Sequence, residues 1–213
     1  SYKVIKVDKG DTEVAFGAWN KKWSNFMRWK RILAYIKSEE CKDKKYVLFA
    51  DATDNLFVDS PHNILYNFKK YFHCGFRSSH GFGRRCDLLY CGTGFRGQER
   101  GDKFSKETRT WYDARSLILG DHHHLNAGLF IGRKDFVIEV YEKMLEFEVD
   151  SQGDRNERLW KSHPEYPYGC ASDQGVLRYL WPRYYPRMLT DSNRLLFARW
   201  SVPGLKQLFH GGL

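Results

Sequence analysis

The sequence predicts an α/β fold, a mixed and mostly parallel sheet flanked by helices. Three observations carry this. Short continuous apolar runs at 46–50, 87–91 and 125–132 read as strands buried on both faces. Stretches with apolar residues near 3.6 spacing follow or precede them. The chain has 213 residues, 42% of them hydrophobic, which suits one globular domain over 1–213 with a core and a cleft.

Taken in order, Val4-Ile5-Lys6-Val7 reads as a short strand. Trp23 to Lys37 reads as a helix that buries Trp23, Phe26, Met27, Leu33 and Ile36. Tyr46 to Ala50 follows a charged turn and is the first central strand. Ser60-Pro61 opens the next helix as N-cap and first-turn proline, with Ile64, Leu65 and Phe68 inward. Asp87 to Cys91 is a second strand, and the polar, basic text from Gly92 to Gly120 is a long loop. His122-His123-His124 belongs to a loop, because neighbouring side chains on an extended segment point different ways and rarely chelate one ion. Leu125 to Gly132 is the third strand. Asp135 caps the helix after it, whose inner face is Phe136, Val137, Val140, Tyr141 and Met144. Gln152 to Tyr168 is another polar loop. A helix from Ser172 to Trp181 is stopped by Pro182, and Gln207-Leu208-Phe209 is a brief strand.

Composition narrows the function classes. The formal net charge of +9 favours phosphate-bearing ligands, nucleic acid or acidic surfaces, but the basic residues are spread rather than striped. No zinc-finger or RNA-binding sheet motif accompanies them, so nucleic acid is not the expected partner. The 16% aromatic content excludes a disordered chain and suits stacking on a sugar face or a base. The 5 cysteines lack CxxC spacing, which argues for reduced thiols and a cytoplasmic setting. No apolar run reaches ~18 residues, so no transmembrane segment is expected.

Four clusters carry candidate chemistry, because ligands in such sheets sit beyond the carboxyl ends of strands. Asp51-Ala52-Thr53-Asp54 follows a buried strand; two carboxylates aimed at one point repel unless a cation lies between them. Asn126 and Gly128 stand on the third strand, where an amide can hydrogen-bond a ligand and a glycine admits it to the backbone. Asp173-Gln174 opens a helix and offers a cleft carboxylate. Phe209-His210-Gly211-Gly212 offers an imidazole for a metal, and glycines for backbone contact with phosphate.

In this order the four clusters resemble glycosyltransferases of the GT-A fold with a DxD-type metal motif, and in particular the glycosyltransferase domain of collagen lysyl hydroxylases. The resemblance spans roughly Trp19 to Gly212. It implies that Asp51, Asp54 and His210 hold Mn2+ or Mg2+, with the histidine favouring Mn2+. It implies that the metal binds the diphosphate of a nucleotide-sugar donor, most simply a UDP-sugar. It places Trp19 against the donor base, Asn126 and Gly128 along the sugar, Gly211 in the donor site and Asp173 on the acceptor side. In an inverting enzyme Asp173 would be the catalytic base, with Asp191 second in line. The acceptor would be a hydroxyl of a glycan or glycoprotein. Two departures stand out. The family's usual strand and helix ahead of the segment equivalent to Tyr2–Gly10 are not recognised in the sequence, which implies a shortened first unit or a donor base held differently, and Phe26 stands where a basic donor-binding residue is expected. The rival readings are a non-catalytic basic module that binds nucleic acid, and a metal-dependent hydrolase using the same carboxylates.

Overall fold

A computed structural model describes residues 25–51, 57–73, 86–93, 110–111, 114, 124–146 and 173–197. Trp19, Asp54, His210 and Gly211 lie outside these residues. So do the expected strands at Val4–Val7 and Gln207–Phe209, the Gln152–Tyr168 loop, and most of the Gly92–Gly120 loop.

Among the described residues four strands form the sheet: β1 (Tyr46–Ala50), β2 (Leu88–Thr93), β3 (His124–Arg133) and β4 (Met188–Asp191). Four helices accompany them: α1 (Asn25–Lys37), α2 (Pro61–Phe68), α3 (Lys134–Leu145) and α4 (Asp173–Tyr184). The strand order is β1-β3-β2-β4. β3 runs antiparallel to both β1 and β2, while β4 is parallel to β2. The sheet is therefore mixed and partly parallel. The expectation of a mostly parallel sheet is corrected at the level of pairing, because the one reversed strand lies in the interior and makes two of the three pairings antiparallel.

Alternation along the strands divides the core in two, since successive side chains leave a strand on opposite faces. Val47, Phe49, Leu88, Tyr90, Phe130 and Met188 meet Trp29, Ile32, Leu33 and Ile36 of α1, the inner face of α3, and α4. Leu48, Leu89, Cys91, Ile131 and Leu189 meet Phe68 of α2, Cys86 and Phe197 on the other face. The inner face of α3 is the one expected: Phe136, Val137, Val140, Tyr141 and Met144 are all buried. On α1, Trp29, Ile32, Leu33 and Ile36 fall at i, i+3, i+4 and i+7, so the helix packs through one stripe. α2 starts as the sequence predicts, with Pro61 in its first turn and the Ser60 side chain accepting the Asn63 N–H at 3.2 Å.

Three local expectations are corrected, and one strand is added. Pro182 lies inside α4 and does not stop it. A proline this close to a helix end removes one backbone hydrogen bond. The last turn persists because the Tyr185 N–H reaches the Trp181 carbonyl at 3.0 Å and the buried Trp181 indole donates to the Met188 carbonyl at 2.8 Å. Asp135 sits one residue inside α3, where it accepts the Phe136 N–H, and Arg133 takes the N-cap position. His124 is strand, not loop: β3 pairs out to Thr93↔His124 and the residue is buried. β4 was not expected at all.

A bulge, an arginine and two aspartates form the candidate active site

Because β3 is reversed, its first half lies beside the carboxyl end of β1. Ala50 pairs with Leu129, and the Asp51 N–H extends the ladder by one step to the Gly128 carbonyl at 2.8 Å. A ligand beyond the end of β1 would thus meet the start of β3, the segment that carries Asn126 and Gly128.

The same segment breaks away from β2. Tyr90 pairs with Phe130, yet the next residue, Cys91, pairs with Asn126. Ala127, Gly128 and Leu129 bulge out between these two steps and have no register partner on β2. Side chains take up two of their backbone N–H groups. Gln174 Oε1 accepts the Ala127 N–H at 3.2 Å, and Asn126 Oδ1 accepts the Gly128 N–H at 2.8 Å. Asn126 therefore fixes the shape of the bulge, and Gln174 ties that bulge to the first turn of α4. Arg178 adds a second tie from α4, its Nε donating to the Leu125 carbonyl at 3.0 Å.

Gly128 is the point of closest approach. A Cβ built there would lie 2.7 Å from Asp51 Oδ2 and 3.1 Å from Asn126 Oδ1. The carboxylate of Asp51 rests on bare backbone, in space that any larger residue would fill.

Arg28 joins the remaining parts. Its Nη1 donates to Asp51 Oδ1 at 3.0 Å and its Nη2 to Asp173 Oδ2 at 2.9 Å. The neighbouring Trp29 donates its indole N–H to the same Asp173 Oδ2 at 2.7 Å, and Asp173 Oδ1 accepts the Gln174 N–H at 2.9 Å. Asp173 is only 4% exposed, so these donors replace the water a buried carboxylate would otherwise lose. The guanidinium lies 5.6 Å from the ring centroids of both Trp29 and Phe49. Arg28 thus bridges two carboxylates that come from the end of β1 and the start of α4.

Below the cluster lies an aromatic floor. Trp29 packs 3.8 Å from Tyr141 and 4.8 Å from Phe49, centroid to centroid. The buried hydroxyls of Tyr90 and Tyr141 bond each other at 3.1 Å. Burial pushes both phenols well above the ordinary tyrosine value, and the charge of nearby Asp173 adds to the effect on each.

Four of the residues singled out from sequence thus meet in one place: Asp51, Asn126, Gly128 and Asp173. Arg28 and Trp29 were missed as site residues. Their signal was present, since Arg28 precedes the buried stripe of α1 by one residue, but in the text it is one cation among Lys30, Arg31 and others. Asp191 is a different matter. Its carboxylate accepts the Leu195 N–H at 2.9 Å, the Leu196 N–H at 2.6 Å and the Phe197 N–H at 2.8 Å, and the residue is 1% exposed. It organises the chain after β4, and its candidacy as a base is withdrawn. Another buried carboxylate, Asp87, sits at the opposite end of the sheet, where Arg187 Nε donates to it at 2.8 Å.

Comparison with family models, with curated proteins and with solved structures returns no match.

The chemistry of this cluster is electrostatic. Asp51 is the only expected metal ligand among the described residues, which contain no group of three or more His, Cys, Asp or Glu arranged to hold an ion. Asp51 offers a hard carboxylate oxygen, the donor type divalent metals take, and that oxygen is paired with Arg28. Among the described residues no helix is long and apolar enough to cross a membrane.

Proposed function

We propose that this chain is a metal-dependent glycosyltransferase of the GT-A type, using a nucleoside-diphosphate sugar, most simply a UDP-sugar, as donor. The acceptor is a hydroxyl of a glycan or glycoprotein. One observation carries the reading. Three separate sequence segments, at 51, 126–128 and 173, are drawn to the carboxyl end of β1 by a reversed strand and one arginine.

On this reading Asp51, together with Asp54 and His210, holds Mn2+ or Mg2+. The metal, when bound, supplies Lewis acidity that stabilises the departing diphosphate. Asn126 and Gly128 line the sugar pocket: Gly128 lets the Asp51 carboxylate rest against backbone, and Asn126 keeps the bulge in shape. Trp19 covers the base and Gly211 contacts the donor through its backbone. Asp173 faces the acceptor side. It can take a proton from an acceptor hydroxyl only by exchanging one of its present donors for that hydroxyl, so its first task is to orient Arg28 and Trp29. A retaining enzyme would need nothing more from it.

A thermal-shift screen of nucleotide sugars, with and without Mn2+, tests the proposal. A ligand that binds the native state raises its melting temperature by mass action. The expected result is a rise for one nucleotide sugar that requires the metal. A rise with DNA or RNA that vanishes in high salt, and none with any nucleotide, would overturn it in favour of a basic binding module. Free sugar as the only product, whatever acceptor is offered, would make the protein a hydrolase.

A further inference from the structure

The outer side of α2 carries aromatic and basic residues that neither the core nor the cluster at the end of β1 uses. α2 packs through Ile64, Leu65 and Phe68 on the sheet face opposite α1. On its other side Tyr66 is 62% exposed, and Tyr71, just beyond its end, is 40% exposed. Phe57 and Val58, in the segment that leads into α2, are exposed as well. Exposed apolar residues gathered in one stretch mark a recognition surface, whereas scattered single ones do not. Tyr66 and Lys70 are four apart and so share a helix face. A regular α-helix would turn Tyr71, five residues on, about 140° away from Tyr66. The helix instead widens into a π turn over Lys69–His73, which brings the fifth residue back towards the same side. The Lys70 ammonium lies 5.9 Å from the Tyr66 ring centroid and 5.0 Å from that of Tyr71. One cation thus stands between two exposed rings. No acidic residue occurs from Ser60 to His73. The nearest acid along the chain, Asp59, accepts the Ser60 N–H and the Asn63 side-chain amide, each at 2.7 Å. Lys69 is turned to the Tyr46 ring, 4.8 Å from its centroid.

We propose that Tyr66, Lys70 and Tyr71 form a docking platform for an acidic glycan, one that carries a carboxylate on alternate sugars. A tyrosine ring offers an apolar face to the C–H face of a pyranose and keeps a hydroxyl at its edge for the sugar hydroxyls. The ammonium pairs with the carboxylate. Charge spacing decides among polyanions, since one ammonium for two rings matches one carboxylate for two sugars. A nucleic-acid strand brings a phosphate with every base and calls for a groove of cations along its backbone. An anionic membrane calls for a cluster of several basic residues, and here Lys69 is engaged elsewhere. α2 lies across the sheet from α1 and α4, so the platform goes beyond the transferase reading and does not rest on it.

Fluorescence anisotropy on the whole chain tests this, with a labelled decasaccharide of alternating glucuronate and N-acetylhexosamine as the probe. Wild type should bind it saturably, with an affinity that falls as salt rises. Tyr66→Ser and Tyr71→Ser are each expected to weaken binding about tenfold, and Lys70→Gln about threefold with a shallower salt dependence. The same decasaccharide with its carboxylates reduced to alcohols should bind wild type and Lys70→Gln alike. These side chains are exposed, so each variant should keep the wild-type unfolding midpoint by circular dichroism, and Lys70→Gln carries the test if a tyrosine variant does not. Asp51→Asn should bind the decasaccharide as wild type does, whatever becomes of its turnover. Absence of saturable binding, or equal binding of the carboxylated probe by wild type and Lys70→Gln, would overturn the proposal. So would tighter binding of a single-stranded RNA of equal length, or of phosphatidylserine vesicles, than of the decasaccharide.

Discussion

Asp51 and Gly128 are joined twice: the Asp51 N–H donates to the Gly128 carbonyl at 2.8 Å, and the Asp51 carboxylate occupies the space where a side chain at 128 would begin. Backbone pairing sets the position of the aspartate, and the missing Cβ sets the position of its charge. Gly128→Ala should therefore separate fold from site. The new methyl must push aside a carboxylate tip that can rotate, so the expected loss of stability is only about 1 kcal/mol. Metal affinity should fall by at least about tenfold, because coordination tolerates little displacement. Chemical denaturation paired with Mn2+ titration checks both halves.

Asp173 should matter more to stability than Asp51. Asp173→Asn leaves Arg28 Nη2 and the Trp29 indole facing a neutral amide in a buried place. Removing one partner of a largely buried ion pair is costly, and with Arg28 still partly exposed we expect about 2 kcal/mol. The midpoint of urea unfolding at neutral pH reads this directly. Asp51→Asn, at a more exposed carboxylate, should cost less than 1 kcal/mol or so.

Trp29 lends itself to a narrower substitution. Trp29→Phe keeps an aromatic ring against Tyr141 and Phe49 but removes the N–H on Asp173 Oδ2. The expected cost is about 1–3 kcal/mol for the lost charge-assisted bond and the smaller ring. A double-mutant cycle with Asp173→Asn should recover most of the bond as a coupling energy.

Much of this architecture is legible in the text of the chain. β1, β3 and the helix between β3 and the following loop come from unbroken apolar runs and a clean 3.6 period; the inner face of that helix is buried as expected, whereas β1, read as buried on both faces, is half-buried along its whole length. Ser60 and Pro61 mark the start of α2 because capping is a local event. Apart from the Asp135 cap and the Pro182 stop, the misses are non-local. β4 is a four-residue strand held by its pairing with β2 and by contacts from α4, so nothing within Met188–Asp191 announces it. The direction of β3 is written nowhere in its own sequence, yet it decides that Asn126 and Gly128 face the end of β1. Arg28 resembles its basic neighbours until Asp51 and Asp173, at separations of 23 and 145 residues, are folded onto it. Asp191 resembles a catalytic acid until three backbone N–H groups are found around it.

The alkaline limb of stability should be set by the Tyr90–Tyr141 pair and Cys86. Burial is the largest influence on all three and raises each value in the folded state. A group whose folded value is raised stabilises the fold fully below its unfolded value and loses that contribution as pH climbs past it. For the tyrosines the loss begins near the ordinary value of 10.0 and continues upward. Tyrosinate absorbance should therefore show these phenols ionising only together with unfolding. Smooth titration of every tyrosine in the native protein near pH 10 would contradict this. The same burial keeps the Cys86 thiol protonated, so it should react with a disulfide reagent only after denaturation.

The account depends above all on a metal held by the carboxylate at the end of β1, and metal-stimulated release of UDP from a UDP-sugar measures that most directly. Wild-type protein should release UDP at a rate that rises with Mn2+ and collapses with a chelator, while Asp51→Asn, folded by circular dichroism, should show no metal-dependent rate. Equal metal-stimulated turnover in the two proteins would contradict the account.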